Sequence, residues 1–484
     1  MKSLKTIWSV VYLSLVYILA TVLRFYQLSF FEFKNDQLSA ILLGNQARQV
    51  HFLITHGMNS GVGFSNPPFF IQFMGVLTYF SNDPYFITAF FTVFNLIALV
   101  TAFLYFYKFL PTGYAILSCT ILAFSPAFVM YSSNIWAQCM LPFFMILFHF
   151  CFYQFIEKKI PLYFILLNLL AGVAAQIHMS GFFLFPAIFI LGFVNKSVIK
   201  RKHLISAGIL LVFMYLPYLY HLICEGELAR VLAHAGGDND IPWNIFRSHI
   251  WFASLDYFRT MFRGEFLKVL QHSLRSLGLL LYPLSCILSV LFIFGFYSYI
   301  KFLVKERCFF KVNSDTEPLP FQISGFLVSV VTLGYLIFQV RTPLHYLIVL
   351  FPCHAVITGF ACWKLWKYKI AKVVIVFSII STVVLLAGML RFLNFQGGHW
   401  CQYGPSYKFL NSLKSQIQLI THDEYCPDLQ LNLPKEGKFD EDAIKFILVG
   451  SNICKSDVKK MPINLSIIWD KKTMCYIYQL TRGE

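Results

Sequence analysis

The chain has 484 residues, of which 58% are hydrophobic and 18% aromatic, while only 13% are charged; its mean hydropathy is +0.65. Water-soluble domains carry roughly 25% charged residues, so a soluble globular protein is excluded and most of this sequence must be solvated by lipid. The formal charge of +16 does not point to nucleic acid as a partner, because polytopic proteins collect Lys and Arg in the loops retained on the cytoplasmic side.

The first apolar run, Trp8 to Leu23, lacks a small-x-small cleavage site and reads as a signal anchor. Spanning helices need about 20 mostly apolar residues. On that rule eleven spans are expected, near 7–27, 84–107, 111–131, 136–156, 161–177, 179–195, 203–223, 276–300, 321–340, 344–363 and 373–393. With the N-terminus in the cytoplasm, the inner segments hold Lys2, Lys5, Lys108, Lys158-Lys159, Lys196, Lys200-Arg201-Lys202, Lys301 to Lys311 and Lys364 to Lys372. The short outer turns Ser132 to Ile135 and His178 to Gly181 hold none. This charge bias sets the orientation, and the odd span count puts the C-terminal region outside the cell. The chain is thus expected in the cytoplasmic (inner) membrane.

Three parts project outward: a first loop at about 28–83, a second at about 224–275, and a tail at 394–484 that follows a membrane domain of residues 1–393. The first loop carries an isolated acid, Asp36, ahead of an amphipathic helical pattern, a Gly/Ser/Asn run, and then Asn66-Pro67-Pro68. It reads as a structured lid lying on the membrane, with Asp36 held at a cavity mouth and desolvated there. The second loop has Gly236-Gly237-Asp238-Asn239-Asp240, then Trp243, Phe246, Arg247, Trp251, Phe252, Arg259 and Arg263 at helical spacing. Such rings and cations suit the bilayer interface.

The tail is polar and long enough for a small α/β domain. A helix is expected at Ser406 to Ile420, a strand at Lys445 to Ser451 (KFILVGS), and a hairpin from Asn464–Trp469 and Thr473–Leu480 around Asp470-Lys471-Lys472. The tail also holds Cys401, Cys426, Cys454 and Cys475, an even number that suggests two disulfides in any of three pairings. No cysteine pair has metal-ligand spacing, so zinc is not expected.

No phosphate-binding Gly loop, GxGxxG or His/Glu metalloprotease motif occurs, and the inner loops leave no room for a nucleotide-binding domain. Chemistry, if present, belongs to the outer face and needs a donor delivered through the lipid. Polar groups cluster at the outer ends of the spans: Arg24, Asp36, Asn66, Asn134, Gln138, His178, Arg341, His345 and Tyr346. Such groups are expensive near hydrocarbon, so a convergent set signals function. No cofactor is indicated, and a requirement for a divalent metal stays open. A transporter or flippase of a lipid-linked glycan is the rival reading, although the hydropathy shows neither a two-half repeat nor matching Gly/Pro-broken spans.

These residues lie in short motifs: LRFYQL at the end of the first span, FEFKNDQ, NPPFF, SPAFVMYSSNIWAQCMLPFF, QIHMSGFFLFP and HYLIVLFP. Over roughly residues 10–360 they resemble the membrane glycosyltransferases of the GT-C fold. The nearest family groups dolichyl-phosphate-mannose–protein mannosyltransferases with bacterial aminoarabinose transferases. The resemblance implies an all-α polytopic fold. It also implies inverting transfer of a sugar from a polyprenyl-phosphate-linked donor to a lipid, glycan or protein acceptor at the outer face. The family's first-loop acid maps onto Asp36, the catalytic candidate, with Arg24, Gln37, Asn66, Gln138, His178, Arg247, Arg341, His345 and Tyr346 as substrate-binding candidates. The sequence departs from the family where an Asp-Glu pair becomes Asp36-Gln37, where a second acid gives way to Gln138-Cys139, and where Lys-Pro-Pro becomes Asn66-Pro67-Pro68. Donor-phosphate contacts are then expected from Arg341, His345 or the second loop.

Overall fold

The computed structural model describes residues 2–59, 64–229, 244–312, 317–340, 342–399, 401, 403–421, 426–433, 440–449, 460–470 and 473–482. Gly236 to Asp240, Trp243, Arg341 and Cys454 lie outside them. All eleven expected spans are helical, and the protein is a multi-pass membrane protein. Among the described residues seven helices are long and apolar enough to cross a bilayer, or up to nine if each of two bent pairs is one span.

The first bent pair is α5 (Thr112–Ala123) with α6 (Pro126–Ser132), and the second is the 3-10 turn Leu344–Leu350 with α15 (Cys353–Leu365). Both break beside a proline, Pro126 and Pro352, whose ring removes a backbone donor and blocks the preceding turn. The two remaining expected spans, α8 (Pro161–Ile177) and Met179–Val194, the latter ending in α9 (Leu184–Val194), are apolar but short.

Burial sorts the bundle. In α7 (Leu141–Lys158, with the 3-10 turn Ala137–Met140 ahead of it) and α14 (Leu319–Ile337), 72% and 78% of the apolar window is buried, against 22% in α1 (Lys2–Leu28) and α10 (Arg201–Cys224). The first two are therefore the centre and the last two a lipid-facing rim. Polar side chains tie the centre together. His149 of α7 pairs with the Tyr105 hydroxyl of α4 (Pro84–Phe109) at 2.9 Å and with Ser324 Oγ of α14 at 3.0 Å. Close approach does the rest. A methyl group built on Gly295 would lie 2.3 Å from the Ile357 carbonyl oxygen, so only glycine lets α13 (Phe266–Glu306) meet α15 there. α13 is broken at Arg275, where φ is +53°, at the boundary expected between the second loop and the next span. α16 (Lys369–Gln396) packs along it.

All three projecting parts gather at one end of the bundle. The first loop supplies α2 (Asn35–Gln49) and α3 (Phe69–Phe80), and the second supplies α11 (Asn244–Phe252) and α12 (Tyr257–Phe262). The tail begins with a two-residue pair, β1 (Gly398–His399) with β2 (Gly404–Pro405), followed by α17 (Tyr407–Thr421). Strands β3 (Cys426–Asn432), β4 (Lys460–Asp470) and β5 (Cys475–Arg482) form its sheet in the order β3-β4-β5. The helix expected from Ser406 and the hairpin across Asp470–Cys475 are both present.

Of the strand expected at Lys445 to Ser451, the described part, Lys445–Val449, is instead the end of a helix, α18 (Glu441–Val449), and Gly450 and Ser451 lie outside the described residues. Asp440 accepts a hydrogen bond from Ala443 N at 3.1 Å and caps it. Ala443, Ile444, Ile447 and Leu448 are buried at helical spacing, a period that a seven-residue apolar run conceals. The parallel strand β3 was not anticipated, although Asp428-Leu429-Gln430-Leu431-Asn432 alternates polar and apolar residues as a half-buried strand does; its partner β4 lies about thirty residues on in the sequence. Among the described residues Cys401 and Cys475 are not joined to each other, so of the three pairings the one that pairs them is not made. The Cys426 side chain, like Cys454, is outside the described residues.

The tail is fastened to the second loop by His399, which is wholly buried with Nε2 3.4 Å from Glu265 Oε2. Its Nδ1 accepts the Cys401 N–H at 3.3 Å, and Cys401 Sγ lies 3.6 Å from the Phe262 carbonyl oxygen. The metal-ligating atoms of Glu265, His399 and Cys401 all lie within 4.8 Å of one another, a convergence that the sequence spacing did not suggest. Burial pushes the His399 imidazole down to about 4, against the opposing pull of Glu265.

Two predictions follow from these clamps. A His149→Phe substitution strands the Tyr105 hydroxyl, while Ser324 keeps its bond to the Pro320 carbonyl oxygen, and is expected to cost about 1–2 kcal/mol, read as a lower midpoint of thermal unfolding in detergent. The second concerns acid. The unfolded imidazole takes up a proton near pH 6.5 and the folded one only near pH 4. Tail docking is therefore at full strength above pH 6.5 and weakens as pH falls toward 4. Amide exchange of β1 and β2 should rise over that interval, and in His399→Phe that part of the pH dependence should be gone.

Candidate active site

The chain before α2 is an extended segment, Phe31-Glu32-Phe33-Lys34, whose alternation sends side chains to opposite sides. Phe31 stacks on Tyr407 of α17 at 4.8 Å and Phe33 on Phe446 of α18 at 6.1 Å. Glu32 forms a β-bridge with Ser406, and Tyr407 N donates to the Phe31 carbonyl oxygen at 3.0 Å. The tail thus holds the segment that delivers Asp36. Lys34 pairs with Glu32.

The start of α2 is capped by Gln37, whose Oε1 accepts the Lys34 N–H at 2.9 Å. Gln37 is fully buried and its Nε2 donates to Asn134 Oδ1 at 3.0 Å, bolting the loop helix to the turn after α6. This explains a departure noted in the sequence. The amide supplies a donor and an acceptor at once, which a carboxylate cannot do. With capping assigned to Gln37, Asp36 has no such duty. Asp36 is exposed into the cavities beside it and is not enclosed by protein, contrary to the desolvated carboxylate expected. Any drying of that group must come from substrates.

Two cavities meet at Asp36. One, of about 670 Å³, is mainly apolar, with Phe64, Phe70, Phe182, Phe183 and Phe338 among its walls. It brings together six of the expected residues: Asp36, Asn66, Gln138, His178, His345 and Tyr346. The other, of about 640 Å³, is the more polar of the two and contains Asp36, Asn134, Arg247 and His345. Asp36, Trp136 and His345 line both.

Each is positioned by local structure. Asn66 closes the first loop on itself, its Nδ2 donating to the Met58 carbonyl oxygen at 3.0 Å. His178 follows α8, and its Nδ1 lies 2.7 Å from Ser180 Oγ and accepts the Ser180 N–H at 3.2 Å. Nε2 is then the protonated nitrogen. Burial, aided by His345, pushes His178 down to about 3, so it works as a neutral donor. Gly181 makes this turn possible, because a methyl group there would lie 2.3 Å from Ala175 N.

Two expected residues are not brought to either cavity. Arg24 is fully buried, bonds the carbonyl oxygens of Ala20 and Ala123 at 3.0 and 3.1 Å, and lies under Phe128 at 4.8 Å. Gln37 has the structural role just given. Both are corrections, and both arise because a polar residue at a span end serves the fold as readily as the site. Arg341 is outside the described residues, although its neighbours Val340 and Thr342 line the apolar and the polar cavity respectively.

Residues missed in the sequence are Glu32, Lys34, Trp136, Ser180, Tyr257, Tyr335 and Tyr403, while Trp251 and Arg263, expected at the bilayer interface, line the second cavity. Glu32 and Lys34 stood inside a quoted motif, and their alternation with Phe31 and Phe33 was the available signal. Trp136 gave none. Its indole Nε1 is buried and without a hydrogen-bond partner among the described residues, at a cost of about 1–3 kcal/mol.

No family model matches the chain, and no curated protein matches it. Among solved structures, ArnT from Cupriavidus metallidurans, crystallised with undecaprenyl phosphate, superposes with a TM-score of 0.52 at 11% identity, covering 96% of this chain and 93% of that one. The Archaeoglobus fulgidus oligosaccharyltransferase, in a complex with Zn and sulfate, gives a TM-score of 0.47 at 12% identity over 83% of this chain and 55% of that one. The likeness to ArnT is one of fold, and with the helical bundle and its small α/β tail it gives this chain the GT-C fold of membrane glycosyltransferases.

Proposed function

We propose that this protein transfers a sugar, with inversion, from a polyprenyl-phosphate-linked donor to an acceptor hydroxyl outside the cytoplasmic membrane. One observation carries the reading: a single accessible carboxylate, Asp36, stands on the wall shared by an apolar cavity and a polar one. ArnT, whose fold this chain shares, was crystallised with undecaprenyl phosphate, and the apolar cavity suits a ligand of that kind.

In this scheme the lipid chain lies along the phenylalanines of the apolar cavity. Its phosphate takes hydrogen bonds from the neutral His178, the Gln138 amide and the Tyr346 hydroxyl, with Arg341 as the expected cation. The acceptor oxygen enters from the polar side and attacks C1 of the sugar. The bond from C1 to the phosphate oxygen breaks, the polyprenyl phosphate leaves with the electron pair, and Asp36 takes the hydroxyl proton. A phosphate monoester is stable as an anion, so oriented donors suffice to hold it. The base must come within about 3 Å of the proton it accepts.

Asp36→Asn keeps size and most hydrogen bonding but cannot accept the proton. Turnover should fall by roughly 100- to 10,000-fold while binding of undecaprenyl phosphate and protein level hold. Unchanged transfer by the variant would remove the catalytic role and favour a flippase. The orientation has its own check: maleimide labelling of single cysteines in intact cells should reach positions 36 and 247 and the tail, but not 200 or 369. Labelling of the last two alone would reverse the topology and place the site on the wrong side.

A further inference from the structure

The polar cavity differs from its neighbour in more than polarity. Its walls come from loops and helix ends: the extended segment before α2, the turn after α6, both second-loop helices and Tyr403 of the tail. Its volume of about 640 Å³ falls in the roughly 300–1,000 Å³ range of small-molecule sites. That is too little for a folded protein.

Two kinds of group line it. Flat rings are supplied by Trp136, Trp251 and Tyr257, and multidentate hydrogen-bonding groups by Glu32, Lys34 and Arg247. The Arg247 guanidinium lies over Trp251, 4.7 Å from the ring centroid, and its Nη2 donates to Asn244 Oδ1 at 3.0 Å. Ring and cation are thus fixed relative to each other. At the junction with the apolar cavity, the Trp136 ring lines both spaces.

A pyranose matches this set. It has C–H groups on its faces, which pack on rings, and hydroxyls around its rim, which bridge carboxylates and cations. An acyl lipid would set its chains against charged groups. We propose that the polar cavity is a saccharide-binding site and that the acceptor is a hydroxyl of a carbohydrate held there. This rests on the glycosyl-transfer reading above and names its second substrate. The hydroxyl oxygen gains the bond to C1, its proton passes to Asp36, and the polyprenyl phosphate departs.

The test uses the full-length protein in lipid nanodiscs and two separate ligands. Undecaprenyl phosphate reports the donor site. A panel of reducing-end-labelled di- to tetrasaccharides of glucose, mannose, galactose and N-acetylglucosamine, followed by fluorescence polarisation, reports the polar cavity. Saturable binding of at least one saccharide is expected. Trp251→Ala should weaken it by tenfold or more with undecaprenyl phosphate binding unchanged, and Trp251→Phe should restore most of it. Undecaprenyl phosphate binding with no saccharide bound, or saccharide binding indifferent to Trp251→Ala, overturns the saccharide site and leaves the donor reading standing. So does transfer to a peptide or a lipid but to no saccharide. Loss of both ligands overturns the two together.

Discussion

The site depends on one hydrogen-bonded link, that from Gln37 to Asn134. Through it a loop helix that also packs on α3 and α18 is held to the turn between α6 and α7. The same amide caps α2 through Lys34 N, so the start of the helix and its attachment share one buried side chain. Asp36 is the preceding residue and inherits both constraints. A carboxylate on an unanchored lid would sample many positions. Reaction geometry tolerates errors well under an ångström or two, and a single tethered turn meets that requirement with little machinery.

The division into two cavities follows from the same anchoring. α2 and α3 pack as a hairpin on one side, closing the space that reaches toward α8 and α14. The segment from Phe31 to Lys34 and the second-loop helices close the other. Charge is divided accordingly. The apolar side offers neutral donors, with His178 held uncharged by burial, while the polar side carries Glu32, Lys34, Arg247 and Arg263. Under the proposed function, a lipid phosphate and a hydrophilic acceptor would be sorted by solvation before any specific contact is made.

Much of this was legible in the sequence, for identifiable reasons. Helical spans show themselves through length and composition, and the second-loop helix through the spacing of Phe246, Arg247 and Trp251. Asp36 stood out as a lone acid in a loop between apolar runs. The convergence of His178 with His345 and Tyr346 came from the rule that polar groups at span ends are costly. What failed to show was anything set by partners distant in sequence. Arg24 and Gln37 look like site residues because their bonds to Ala123 and Asn134 cross about a hundred positions. Trp136 is an ordinary interfacial aromatic until its N–H is found unpaired. Lys445 to Ser451 reads as a strand because apolar runs of that length do not distinguish the two periods, and the cap at Asp440 decides it.

The clasp of the tail on the segment before Asp36 has a consequence for biogenesis. Phe31 and Phe33 are gripped by Tyr407 and Phe446, and Phe30 by the Tyr403 hydroxyl, all contributed by residues made after the last membrane helix. During synthesis the bundle is therefore inserted with the Gln37–Asn134 link available, but before the extended segment leading into α2 has its own partners. A chain stalled within the tail would sit in the bilayer with that segment held at its α2 end alone and with the polar cavity missing the wall that Tyr403 supplies.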